Sequence, residues 1–109
     1  MENPEATLNK IKEASKRRIL FLPHAIRQMS RPDRMIGTGD VRRIVAEGEV
    51  IEDYPDDIRG HSCLMMGLDE EGRPVHILCA PRDGYLAIIT AYRPSRLEWE
   101  KFFKTRKRK

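Results

Sequence analysis

His24 and Arg27 stand three residues apart in Pro-His-Ala-Ile-Arg-Gln-Met, and Leu22, Ile26 and Met29 around them recur at i, i+4 and i+7, the mark of one apolar side of a helix. The same spacing gathers His24, Arg27 and Arg31 on another side. An imidazole titrates near neutral pH and a guanidinium offers a planar fork to a phosphate, so such a pair could move a proton beside a clamped anion. It also arises on ordinary solvated helix faces. A second convergence lies far along the chain, where Val75 to Pro94 forms two runs rich in Val, Ile, Leu and Tyr around Pro81-Arg82-Asp83-Gly84. Asp-Gly suits a tight turn, so the runs read as a β-hairpin. Strict alternation puts Leu86, Ile88, Thr90 and Tyr92 on one side of its second strand and Tyr85, Ala87, Ile89 and Ala91 on the other. Both sides are largely apolar, and only the exit at Thr90, Tyr92 and Arg93 is polar. That is a buried central strand with a polar mouth, where hydroxyls either bind a ligand or fill backbone hydrogen bonds.

Four further residues have the types that metal sites use. His61 lies two before Cys63 and His76 three before Cys79, but neither spacing is the Cys-x-x-Cys pairing of common zinc modules. Both cysteines therefore read as reduced core thiols, with no metal and no cofactor expected. His76, alternating with Val75 and Ile77, suits a strand interior, and Tyr54, just before Pro55, suits packing with its hydroxyl at a rim.

The elements that must position these groups follow in order. Leu8, Ile11 and Ala14 share one face of a helix over Glu5 to Arg18, and the His24 helix stops at Arg31 because Pro32 disfavours α conformation before it. Thr38 reads as the N-cap of a short helix with Val41, Ile44 and Val45 buried and Gly48 as its stop. Glu49 to Tyr54, His61 to Leu68, Arg73 to Ala80 and the second half of the hairpin read as four strands. Ser95 and Glu98 form a capping box for a last helix whose apolar face is Trp99, Phe102 and Phe103. Strands joined by short turns run antiparallel, so the expectation is an α+β domain with helices on one face of a curved, four-stranded, mainly antiparallel sheet.

The length of 109 residues suits one domain, with residues 1–19 as a helical extension and 104–109 as a basic tail. No apolar run approaches the length of a membrane span, and the N-terminus lacks the form of a secretion signal, so a cytoplasmic location is expected. The formal charge of +4 is uneven. Ser95 to Lys109 hold seven basic and two acidic residues, and residues 1–46 ten and five, whereas Glu47 to Asp57 hold six acids and no base. A basic front and end around an acidic waist favour a polyanion on one side, with Lys104 and Arg106 in the tail as phosphate contacts. A solubilising tail without a ligand has the same composition.

Pro23 to Met29 with Arg34 and Ile36, Asp40-Val41 leading to Gly48 through Pro55, Pro74 to Ile77, and Ile89 to Pro94 with Trp99 together resemble a bacterial family of small proteins of undefined function. That family is placed with the RelE-like and BrnT-like toxins. The pieces occur in order over roughly three quarters of the chain. Pro32-Asp33 departs from the pattern by lengthening the link before Arg34. The resemblance implies a RelE-like fold with two or three N-terminal helices on the sheet, messenger RNA as substrate, often on the ribosome, and an antitoxin partner that covers the active surface. Carried over by position, it singles out His24, Arg27, Arg34, Tyr54, His76, Thr90 and Tyr92. Cleaving RNA without a metal needs a base for the 2′-hydroxyl proton, cations on the phosphate and an acid for the departing 5′-oxygen. His24 or His76 could supply base or acid, Arg27 and Arg34 the clamp, and Tyr92 a proton or a stacking ring, with Thr90, Arg93 and Tyr54 as substrate contacts. The competing expectation is a non-catalytic module that binds protein or nucleic acid through the basic surface.

Overall fold

In the computed structural model, which describes residues 4–95, 99, 103 and 104, three helices precede most of a five-stranded mixed sheet of an α+β fold. Helix α1 (Pro4–Arg17) buries Thr7, Ile11 and Ala14 and leaves its Lys and Glu residues to solvent. Immediately after it, Ile19–Phe21 forms strand β1, which pairs in parallel with β5 (Tyr85–Tyr92) at Ile19 with Leu86 and Phe21 with Ile88. The expected four-stranded sheet is therefore one strand short. Three residues are too few to show alternation, so only the partner strand reveals them.

Helix α2 (Pro23–Met29) continues from β1 along the same strand, with Pro23 at its first turn and the Leu22 N–H donating to the Ile88 carbonyl. It buries Ala25 and Met29, whereas Ile26 is 41% exposed. The expected apolar side is thus rotated, because the small Ala25 lets the helix lie close to β5. Helix α3 (Thr38–Glu47) follows Gly37 as N-cap, so Thr38 is its first helical residue, and buries Val41, Ile44 and Val45 as expected. Ile44 rests on Gly67, where a Cβ would come within 2.7 Å of its side chain, so the glycine sets how closely α3 approaches the sheet.

Strands β2 (Glu49–Tyr54), β3 (Ser62–Leu68) and β4 (Pro74–Arg82) complete the order β1-β5-β4-β3-β2, with every pair except β1 and β5 antiparallel. The turn between β4 and β5 is the Asp-Gly turn of the sequence, with Gly84 at a φ of 85°. One face of the sheet carries Cys63, Met65, Val75, Ile77, Cys79, Leu86, Ile88 and Ala91 into a core shared with the three helices. Between Ile88 and Thr90 the register with β4 slips, leaving Ile89 as an extra residue. The bulge overturns the strict alternation: Leu86, Ile88 and Ala91 face the helices, while Tyr92 faces the opposite side with its cross-strand partner His76.

That opposite face is covered by Trp99, which is buried edge-on against the His76 ring at 4.4 Å between centroids. The Trp99 N–H donates to the Ser95 carbonyl. Of the expected C-terminal helix, Glu98 and Phe102 lie outside the described residues, whereas Phe103 stands in a bend at a φ of 61°. No described helix is long and apolar enough to cross a membrane.

Candidate functional site

Helix α2 packs chiefly against β5 and leaves His24 and Arg27 exposed on its outer surface. Arg34, in the loop after α2, is half-buried: its Nη1 donates to Gln28 at 2.7 Å, and its backbone carbonyl accepts from Arg93 Nε at 2.9 Å. Thr90 is half-buried on β5. The helix and the polar exit of the last strand are thus neighbours.

His76 and Tyr92 are turned away from this edge. Phe103 offers only a carbonyl to His76 Nε2, at 2.6 Å, so that nitrogen carries the hydrogen. In the neutral ring Nδ1 then accepts, and the Tyr92 hydroxyl donates to it at 3.2 Å. With both nitrogens occupied and Trp99 against one edge, this imidazole ties the C-terminal segment to β4 and β5.

Arg93 belongs to a structural hub around Asp69, a buried carboxylate in the β3–β4 turn. The N–H groups of Glu71 and Arg73 donate to Asp69 at 2.8 and 2.9 Å, and the Arg73 and Arg93 guanidiniums approach it to 3.1 and 2.9 Å. Burial pushes this carboxyl up, but the Arg73 and Glu71 N–H groups with the two guanidiniums more than offset it, and the net direction is down. Through Arg93 the carboxylate joins the turn, the end of β5 and the loop after α2. The Tyr54 hydroxyl donates to Glu52, and Lys104 lies 2.6 Å from Glu49, so both engage β2. Arg106 lies outside the described residues.

A different cluster carries a chemistry that the sequence did not disclose. Asp53 of β2 is in register with Cys63, and its side chain, 6% exposed, points toward α1. It accepts from the Thr7 hydroxyl at 3.2 Å and from His61 Nε2, whose ring is 18% exposed. A carboxylate can only accept here, so it fixes the tautomer and orientation of the ring, the arrangement that prepares a histidine for proton transfer or anion contact. His61 Nδ1 makes no hydrogen bond among the described residues, and the ring lines a cavity of 520 Å³ between α1 and the β4–β5 turn. The loop before His61 is held from below. Arg82 donates to the His61 and Arg59 carbonyls, both at 2.9 Å, while Asp57 takes bonds from Arg59 and Ser62. Gly60, at a φ of 102°, leaves room for that guanidinium where a Cβ would come within 3.2 Å. The one local signal was that His61 and Cys63 share a face, since the pairing with Asp53 depends on β2–β3 register.

The other residues of metal-binding type are not gathered. Among the described residues no three His, Cys, Asp or Glu side chains are placed to hold a metal ion. Cys63 and Cys79 are free, buried cross-strand partners with sulfurs 3.8 Å apart. The hydrogen bond to Cys63, followed by burial, pushes the Cys79 thiol up, away from reactive thiolate.

Among known proteins, a family model described as a domain of unknown function, DUF4258, matches residues 21–93, which runs from Phe21, the last residue of β1, to Arg93 and excludes α1. No curated protein and no solved structure matches the chain.

Proposed function

This chain belongs to the DUF4258 family, and from that premise we propose that it is a RelE-like toxin, an endoribonuclease that cleaves RNA without a metal and is held in check by a cognate antitoxin. The observation that carries the reading is the edge where α2 runs beside β5: a proton-transfer group and a phosphate-binding group, His24 and Arg27, are both exposed there beside the polar exit of a central strand. His24 takes the 2′-hydroxyl proton as the 2′-oxygen bonds to phosphorus, Arg27 holds the phosphate as charge builds on it, and the departing 5′-oxygen takes its proton from water. Thr90 and the Arg34 backbone border the same end of β5. The His76–Tyr92 pair acts from within, fixing the strand that the substrate lies against. The net positive charge of +4 draws the polyanion to the surface.

The test is a cleavage assay on a structured messenger RNA, with and without ribosomes, beside growth of cells expressing the chain. Wild type should cleave and slow growth. His24→Ala should lose about 100-fold or more in rate while its unfolding midpoint and RNA affinity hold. A wild-type protein that neither cleaves RNA in either condition nor slows growth would overturn the nuclease.

A second reading is a non-catalytic module of the same family that binds nucleic acid or protein through its basic surface. It is favoured by the internal bonds of His76, Tyr92, Arg34 and Arg93, which leave the edge few groups with which to complete a reaction. A binder would keep its affinity in His24→Ala, show no turnover, and lose affinity steeply with salt.

A further inference from the structure

Cys63 and Cys79 are nucleophilic side chains that the nuclease reading leaves unused, and strand pairing sets them opposite one another. Antiparallel partners stand about 4.5 or 5.5 Å apart at Cα, depending on their place in the hydrogen-bond ladder, and both values fall within the roughly 4.4–6.8 Å that a disulfide spans. The β3–β4 register is regular from Cys63 to Leu68, so no bulge turns the two side chains apart. Their sulfurs already touch, at 3.8 Å, in the core layer beneath the helices. To bond they need only close to about 2.05 Å, with no exchange of strand partners.

Both thiols are fully buried, so reaction depends on a route for an oxidant. The 520 Å³ cavity between α1 and the β4–β5 turn supplies one. His61 and Pro81 line it, and each lies two residues from a cysteine, on the same side of its strand. Ala14 lines the cavity too and packs into the same core cluster as the cysteines. A single layer of side chains therefore separates the thiols from solvent. Its fastening is the loop before β3, where Arg82 donates to the His61 and Arg59 carbonyls, both at 2.9 Å, and Ser62 donates to Asp57 at 2.7 Å. Ser62 adjoins Cys63, so loosening this loop frees Cys63 first. The Cys79 thiol, pushed up by its bond to Cys63 and then by burial, keeps its proton at neutral pH. The resting fold is thus slow to oxidise, and reaction waits on local opening.

We propose that Cys63 and Cys79 form a reversible disulfide when hydrogen peroxide enters through this cavity, a covalent staple between β3 and β4 that the folded strands have already aligned. In the first step the Cys63 sulfur bonds to one oxygen of the peroxide and the O–O bond breaks. The departing hydroxide takes the Cys63 thiol proton to become water, and Cys63 becomes a sulfenic acid. Cys79 then attacks that sulfur: the S–S bond forms, the S–O bond breaks, and hydroxide leaves with the Cys79 proton as a second water. The two sulfurs lose two electrons, and the peroxide gains them. Because the second thiol is within reach as soon as the sulfenic acid forms, the disulfide outruns further oxidation to sulfinic acid.

The test treats the reduced full chain with about 1 mM hydrogen peroxide in native buffer, then blocks remaining thiols with N-ethylmaleimide in urea and reads intact and peptide masses. The chain should lose two hydrogens, take up no maleimide, yield a peptide linked through Cys63 and Cys79, and return to the free dithiol with dithiothreitol. Its thermal unfolding midpoint should rise by roughly 5 °C or more, since the link closes a loop between residues 16 apart. Cys79→Ala keeps a small apolar group in the core and should leave Cys63 carrying added oxygen in place of a link. Arg82→Ala releases the loop and should speed linking by roughly tenfold while giving the same product. Two maleimides on the treated chain, sulfinic acid at both cysteines, links only between chains, or a lowered unfolding midpoint would each overturn the staple. An unchanged rate in folded Arg82→Ala would overturn the cavity as the way in. None of these readouts involves RNA, so they stand whether or not the chain is a nuclease.

Discussion

His76 and His61 stand on opposite faces of one sheet, and each is fixed through Nε2, to a backbone carbonyl in the first and to a carboxylate in the second. The difference lies in the remaining nitrogen. Tyr92 occupies Nδ1 of His76, and Trp99 closes the space around it, whereas Nδ1 of His61 faces a cavity lined by charged side chains of both signs. His24 is a third case, exposed to solvent on α2. An imidazole becomes chemically useful when one nitrogen is held and the other is left open. By that criterion the most deeply buried histidine is a strut, and the one beside a short loop is the better prepared group.

Variants can break or sharpen this contrast. The largest effect is expected for His76→Ala, which removes a buried ring and leaves the Tyr92 hydroxyl and the Phe103 carbonyl without it: about 3 kcal/mol or more in denaturant unfolding. A loss under about 1 kcal/mol would show that His76 is not the strut described. Asp69→Asn should cost about 2 kcal/mol, since an amide cannot hold two backbone N–H groups and the Arg93 guanidinium together. Asp53→Asn should cost about 1 kcal/mol, since it weakens the bonds from Thr7 and His61. His61→Gln comes last, within about 0.5 kcal/mol of wild type in stability, and a stability loss as large as that of His76→Ala would erase the distinction.

Acid should act on the turns through their carboxylates. The Asp57 carboxyl is held below its ordinary range, chiefly by the Arg59 guanidinium, and Asp69 is also lowered. A carboxyl lowered in the folded state contributes stability that is complete above its unfolded value, about 4, and is lost as the pH falls through the folded value. Unfolding midpoints should therefore hold from neutral pH to about 4 and decline below it, less so in Asp69→Asn.

Local chemistry made much of this fold readable. The Val41, Ile44, Val45 stripe, the Asp-Gly turn and the approximate bounds of β2 to β5 all rest on neighbours within a few residues. What escaped depends on partners far away in the chain. Ile19–Phe21 is a strand only because β5 lies beside it, and the faces of Thr90 and Tyr92 follow from a bulge set by register with β4. The apolar side of α2 was misjudged by one residue, since Ala25 is small enough to let the helix approach where Ile26 is not. Asp53 and His61 meet through β2–β3 pairing, which no periodicity encodes. The His24–Arg27 pair was legible because helical spacing alone puts it on one surface.

The parallel pairing of β1 with β5 places the first strand of the sheet beside the last. During synthesis, α1 and β1 emerge long before the strand that receives them, and the edge of β4 from His76 to Arg82 stays unpaired until the chain has been made through Tyr92. A nascent chain stalled or cleaved before β5 is therefore no smaller version of this protein but an open, sticky hairpin meander, the form that chaperones and proteases would meet first.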